Sequence, residues 1–242
     1  MTSNLTLTIL FDNYGAAPGL ETGWGFSCLV ETEATTLLFD TGGNGPLLLR
    51  NMRALGHDPQ ELDGILLSHE HGDHTGGLEN VLQKNADVSV FVPVSFSGRL
   101  KRRVTQSGAE LCEVGAGREI APGILTTGDL SGPVREQSLI CEMENASLLI
   151  TGCAHPGVVK IAREASALSD LPLRLALGGF HLGSASERTL NEIIDAFEAM
   201  GISHVGPSHC SGDKARRAFQ RAYGDGYLAL GVGSVVRPSE FL

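Results

Sequence analysis

The chain is short of the features that mark several protein classes. No stretch approaches the roughly 20 consecutive apolar residues that cross a bilayer as a helix, so a membrane is not expected as a partner. No two cysteines form a CxxC pair. The five thiols, Cys28, Cys112, Cys141, Cys153 and Cys210, are odd in number and widely spaced, which argues against a disulfide framework and for reduced thiols. Positive charge is scarce as well. The formal net charge of −10 argues against nucleic acid as a partner. The opening residues 1–8 alternate polar and apolar like a strand, without the charged start and apolar run of a secretory signal, so a cytoplasmic location is expected. Aromatic residues are only 5% of the chain, and tryptophan occurs once.

What is present is material for a core and for many tight turns. Hydrophobic residues are 42% of 242, and the 31 glycines show no period. With no linker, composition break or internal repeat, residues 1–242 are read as a single domain. The first half reads mainly as strands, at residues 5–11, 26–30, 36–39, 64–68 and 88–94, with residues 26–39 suggesting a hairpin. A helix is expected at 47–55, stopped by Gly56, and Thr75 is expected to cap another containing Leu78, Val81 and Leu82. The basic run Arg99, Lys101, Arg102 and Arg103 reads as a solvated surface, with an anion-binding patch as the sharper alternative. The second half alternates. Strands are expected at 138–141, 148–151, 173–177 and 204–206, and helices at 158–168, 187–200 and 214–223. The helix at 187–200 gathers Leu190, Ile193, Ile194, Phe197 and Met200 on one face. Sheets faced by helices follow from this pattern, an α/β class.

The chemistry concentrates in Ser68-His69-Glu70-His71-Gly72-Asp73-His74-Thr75. Three imidazoles and two carboxylates fall within six positions, between an apolar strand and a helix start. These donors suit Zn²⁺, Fe²⁺ and Mn²⁺, and the glycine lets the backbone turn sharply between them.

The run His-Glu-His-Gly-Asp-His resembles the HxHxDH signature of the metallo-β-lactamase superfamily, and Leu38-Phe39-Asp40-Thr41-Gly42 looks like the segment that precedes it there. Three further blocks are similar to a subgroup of metal-dependent hydrolases related to dihydropterin-ribofuranosylaminobenzene-phosphate synthase. They are Gly152-Cys153-Ala154-His155-Pro156-Gly157, Gly178-Gly179-Phe180-His181-Leu182 and Pro207-Ser208-His209-Cys210-Ser211-Gly212. The resemblance implies a metallo-β-lactamase-like αββα four-layer sandwich, with two mixed sheets faced by helices. It implies one metal at His69 and His71 and a second at Asp73, His74 and His209. His155 is the best further ligand, Asp40 a support for the signature loop, and His181 a ligand or, preferably, a substrate contact. His57 and His204 lack such context. The Gly-Asp that bridges the metals in many superfamily members is missing between His155 and His209. Cys153 stands at the strand end where that Asp would sit, although Cys153 and Cys210 read first as small packing residues. Asp129 and Glu136 are weaker substitutes.

The implied cofactor is one or two divalent transition metals, zinc first and iron or manganese as alternatives. The implied activity is hydrolysis of a phosphoester or related ester-type bond in a small, phosphorylated molecule, with Asp73 and His181 as catalytic groups. Alternatives are a pterin-related synthase releasing diphosphate, a di-iron redox protein, and a non-catalytic metal-binding or interaction protein. Oligomeric state is open.

Overall fold

The computed structural model describes residues 4–242, so the start of the alternation expected at residues 1–8 lies outside the described part. The hairpin expected near residues 26–39 is formed by β2 (Ser27–Glu31) and β3 (Thr36–Phe39), which pair antiparallel, with β1 (Thr6–Phe11) on the other side of β2. Strand period sorts their side chains. Leu7, Ile9, Cys28, Val30, Leu37 and Phe39 point to one buried layer, while Leu10, Leu29 and Leu38 point to another. The strands are apolar on both faces because both faces are covered. β4 (Gly64–Leu66), β5 (Ser89–Pro93) and β6 (Glu110–Val114) then add in parallel. With β13 (Val235–Val236) the first sheet has the order β13-β1-β2-β3-β4-β5-β6.

The second sheet contains β7 (Ala116–Ala121), β8 (Ile124–Gly128), β9 (Leu139–Glu142), β10 (Ser147–Thr151), β11 (Leu173–Gly179) and β12 (His204–Ser208), in the order β12-β11-β10-β9-β8-β7. It is antiparallel from β7 to β10 and parallel from β10 to β12. Ile124, Leu139, Cys141, Leu148, Ile150, Leu175 and Leu177 meet the inner residues of the first sheet. The outer face of the first sheet packs on α1 (Gly45–Ala54), α3 (Leu78–Leu82) and α4 (Gly98–Ser107). That of the second packs on α5 (Val158–Leu168), α6 (Glu187–Ala199) and α7 (Gly212–Tyr223). The layering is therefore αββα with two mixed sheets. Among the described residues no helix is long and apolar enough to cross a membrane.

One local expectation needs correction. Thr75 does not cap α3. Residues 72–75 themselves form a helical turn, α2 (Gly72–Thr75), and the Thr75 hydroxyl donates to the His71 carbonyl at 3.0 Å. Gly77 stands at the start of α3 instead. The stretch after residue 94 holds α4, β6, β7 and β8, which the sequence does not announce. The basic run lies on α4, where Lys101 is tied to the Val94 carbonyl and to Glu113 at 2.8 and 2.6 Å.

β1, β3 and β4 run parallel to one another in the first sheet, as do β10, β11 and β12 in the second. The residues that follow their C-terminal ends are 12–13, 40, 67–74, 152–155, 180–181 and 209. Ligand sites in such sheets form at this edge.

Candidate metal centre

The signature loop leaves β4 and is fastened first by Asp40, at the end of β3. The Asp40 carboxylate accepts from the Ser68 backbone N–H and from Ser68 Oγ, both at 2.7 Å, and meets His74 Nδ1 at 2.7 Å. A carboxylate can only accept, so His74 carries its proton on Nδ1 and presents the Nε2 lone pair to the centre. Because its proton is given to Asp40, Ser68 Oγ can accept from His69 Nδ1 at 2.9 Å, which frees His69 Nε2 in the same way. A third fastening holds His209. Its Nδ1 lies 3.0 Å from Asn13 Oδ1, and Asn13 Nδ2 donates to the His209 carbonyl at 3.3 Å. One residue earlier, Ser208 Oγ donates to the buried Asp12, whose carboxyl burial pushes up to about 6.

These tautomers direct several nitrogens to one place. His69 Nε2 is 3.1 Å from His71 Nδ1, and the His155 ring sits 4.8 and 4.9 Å from the rings of His69 and His71. Asp73 Oδ2 is 3.7 Å from His74 Nε2 and 3.3 Å from His209 Nε2. His155 Nε2 and His209 Nε2 are buried without a hydrogen-bond partner, an arrangement that costs free energy unless something accepts their lone pairs. Burial, together with the neighbouring imidazoles His74, His155 and His71, holds His69 far below the usual histidine range. Burial, His181 and His71 bring His155 down to about 4. Burial works against ionisation of Asp73, but His209 and His74 beside it hold its carboxyl below the usual range. Neutral imidazoles and an ionised carboxylate are the forms that bind metal.

The other side of the centre is built on β10. Gly152 is required there, because a Cβ would strike Ser68 Oγ and approach Asp40 Oδ2 to 2.9 Å. Beyond it, the fully buried Glu136 accepts the backbone N–H groups of Cys153, Ala154 and His155 at 2.9, 2.9 and 2.8 Å. Burial pushes its carboxyl up to about 7 against those bonds. Glu136 thus anchors the loop and has no oxygen to spare. Asp129 lies elsewhere, bound to Ser95 and Arg135. Cys153 is buried, as a packing residue would be, and faces the centre as well. Its Sγ lies 3.3 Å from His74 Nε2. It also belongs to three groups whose ligand atoms all lie within 4.8 Å of one another: His69, Cys153 and His155; His74, Cys153 and His209; and Cys153, His181 and Cys210. The donor set of the first two groups, nitrogen and sulfur with Asp73 beside them, suits a first-row divalent metal.

His181 stands at the rim, its ring 4.4 Å from that of His155, and contact with Cys210 raises its pKa. Asp40, Ala154, His181 and His209 all adopt left-handed backbone, with φ of 55°, 59°, 54° and 47°. Strain of this kind gathers at sites whose surroundings fix the chain. His57 and His204 lie apart, beside Glu31 and Ser203. Asn13, Ser68 and Trp24 belong to the site without having been singled out from the sequence. Trp24 is 62% exposed, with its ring 4.9 Å from His209. Glu70, inside the signature, does not turn inward. It accepts from the Ser97 backbone N–H at 2.6 Å and from its hydroxyl, holding the start of α4 against the loop.

Two sheets with helices outside and a histidine-rich edge define a class, the metallo-β-lactamase fold. A solved structure described as a metal-dependent hydrolase of the β-lactamase superfamily superposes with a TM-score of 0.82 at 25% identity, covering 96% of this chain and 98% of its own. A family model described as the metallo-beta-lactamase superfamily matches residues 25–103, including Asp40 and the whole signature. A curated relative, the 7,8-dihydropterin-6-methyl-4-(beta-D-ribofuranosyl)-aminobenzene-5'-phosphate synthase of Methanocaldococcus jannaschii, is 26% identical over 88% of this chain and 89% of its own length. A diphosphatase from the PhnP family, at 18% identity and a TM-score of 0.64, covers 98% of both chains and shares the fold.

Proposed function

We propose that this chain is a metal-dependent hydrolase of a phosphoester or related ester-type bond in a small molecule. The observation that carries the reading is the pair of buried, unpartnered nitrogens, His155 Nε2 and His209 Nε2, facing the same edge as Asp73. His69, His71 and His155 would hold one divalent ion, and Asp73, His74 and His209 a second. Zinc comes first, while iron and manganese fit the same nitrogen and oxygen donors. Such ions lower the pKa of water from ~15.7 towards ~7 and offset charge on the oxygens of an ester. The residues of the chain supply the rest. Asp40, Ser68 and Asn13 fix the imidazoles. Asp73 accepts from the attacking water and aims it. His181, at the rim, donates to the leaving-group oxygen. Arg103 of α4 shares an open cavity of about 670 Å³ with Gly72 and Thr75, and so offers a cation to a remote phosphate beside the signature loop.

A second reading, a pterin-related synthase releasing diphosphate, is favoured by the likeness to the M. jannaschii synthase along most of both chains. Metal-loaded protein should be offered phosphomonoesters, phosphodiesters, lactones and thioesters, with pterin binding measured alongside. The hydrolase reading expects turnover of an ester that disappears, together with bound metal, in His71→Ala. Turnover surviving in metal-free His71→Ala would sink it. Pterin binding without ester turnover would favour the synthase.

A further inference from the structure

We propose that Cys153 supplies a thiolate shared by both halves of the metal centre, taking over the role of the bridging aspartate of many superfamily members. The inference rests on the metal-centre reading above and adds to it a ligand, a ligand class and a metal preference.

One sulfur atom belongs to both donor groups, with His69 and His155 on one side and His74 and His209 on the other. Its distance of 3.3 Å from His74 Nε2 is that of two donors on one ion. With Zn–N near ~2.0 Å and Zn–S near ~2.3 Å, tetrahedral donors sit about 3.5 Å apart. The buried nitrogens His155 Nε2 and His209 Nε2, one in each group, make no hydrogen bond, and Asp73 Oδ2 lies 3.3 Å from the second. The sulfur is also held there. Cys153 is 3% exposed at the end of β10, its N–H is fixed by Glu136, and Gly152 brings the backbone against Ser68. No other acidic group named for the role takes it. The oxygens of Glu136 accept three backbone N–H groups, and Asp129 is bound to Arg135.

Coordination replaces the thiol proton, which passes to solvent, so binding at neutral pH releases it. A thiolate in the shared position also sets a preference. It favours zinc, iron(II) and cobalt(II) over manganese and magnesium, which a carboxylate would serve better.

Cobalt(II) titration of the metal-free protein tests this, because a thiolate on cobalt gives a charge-transfer band in the near ultraviolet. The expected result is a band that keeps growing through a second equivalent of cobalt. It should vanish in Cys153→Ser and in Cys153→Asp and persist in Cys210→Ser. Cys153→Asp should still take two equivalents, which shows that the loop remains folded and that a carboxylate can stand in. Cobalt bound in full without the band, or with the band intact in Cys153→Ser, overturns the thiolate and leaves the metal centre standing. A band that saturates at the first equivalent overturns the sharing. Failure to bind cobalt at all would overturn the metal-centre reading itself.

Discussion

Asp40→Asn exchanges one carboxylate oxygen for an amide NH₂ and should reach both halves of the centre. In the native arrangement Asp40 Oδ2 takes the Ser68 hydroxyl and His74 Nδ1, while Oδ1 takes the Ser68 N–H. An asparagine that keeps its oxygen on the Ser68 N–H turns an NH₂ towards the other two. His74 must then move its proton to Nε2, the atom that faces the centre, or leave two donors opposed. The Ser68 hydroxyl loses its acceptor and competes for His69 Nδ1. Removing a partner of this kind from a ligating histidine costs about 10–100-fold in metal affinity, or about 1.4–2.7 kcal/mol per ion. One stranded buried donor costs the metal-free fold a further ~1–3 kcal/mol. Competition with a chelator of known affinity reads the first quantity and urea unfolding the second, while the nitrogen shifts of His74 report its tautomer. Ser68→Ala, which cuts only the branch to His69, should weaken one equivalent and spare the other. Native metal affinity in Asp40→Asn, with His74 still protonated on Nδ1, would refute the reasoning.

Glu136→Ala leaves three backbone N–H groups without their acceptor in a fully buried position, and urea unfolding of the metal-free protein should show a loss of at least ~1–3 kcal/mol; an unchanged midpoint would count against Glu136 as the anchor. Asp12 has its folded-state pKa raised from 3.8 to about 6, so the folded protein keeps a proton that the unfolded chain has lost. Its stabilising effect is complete below pH ~4 and falls as pH rises to ~6, by up to about 3 kcal/mol. The stability difference between native protein and Asp12→Asn should shrink across that window, and a flat difference would contradict the assignment. Trp24 is the single tryptophan and sits 4.9 Å from His209. Metal binding should therefore change the intrinsic fluorescence, and Trp24→Phe should abolish the signal while changing stability by less than ~0.5 kcal/mol; a silent tryptophan on metal loading would place the ion elsewhere.

The sequence carried the inner layers plainly and the rim poorly, for physical reasons. β3 and β10 are buried on both faces, so their apolar runs stand out. β6 and β7 are largely exposed, and each is the last strand of its sheet, so the apolar alternation that marks a strand is absent there. The helix α6 was legible because Leu190, Ile194 and Phe197 fall on one side. Thr75 misled because a threonine before an apolar run looks like a cap, whereas here the signature itself is already helical. Within the centre the chemistry-bearing motifs were readable, but the groups that orient them were not. Asn13, Ser68 and Glu136 act through contacts made only when strand ends from two sheets meet. Asp12-Asn13, a polar pair directly after an apolar strand, was the one available signal. Cys153 reads from the sequence as a packing residue at a strand end, and nothing in its spacing shows that two histidine groups lie around its sulfur.

Metal content tests the centre most directly. Elemental analysis of purified native protein, with His209→Ala and a His69→Ala, His71→Ala double variant beside it, should give two divalent transition-metal ions per chain. Each variant should lose one of them. A native protein without metal, or variants that keep both ions, would contradict the central claim.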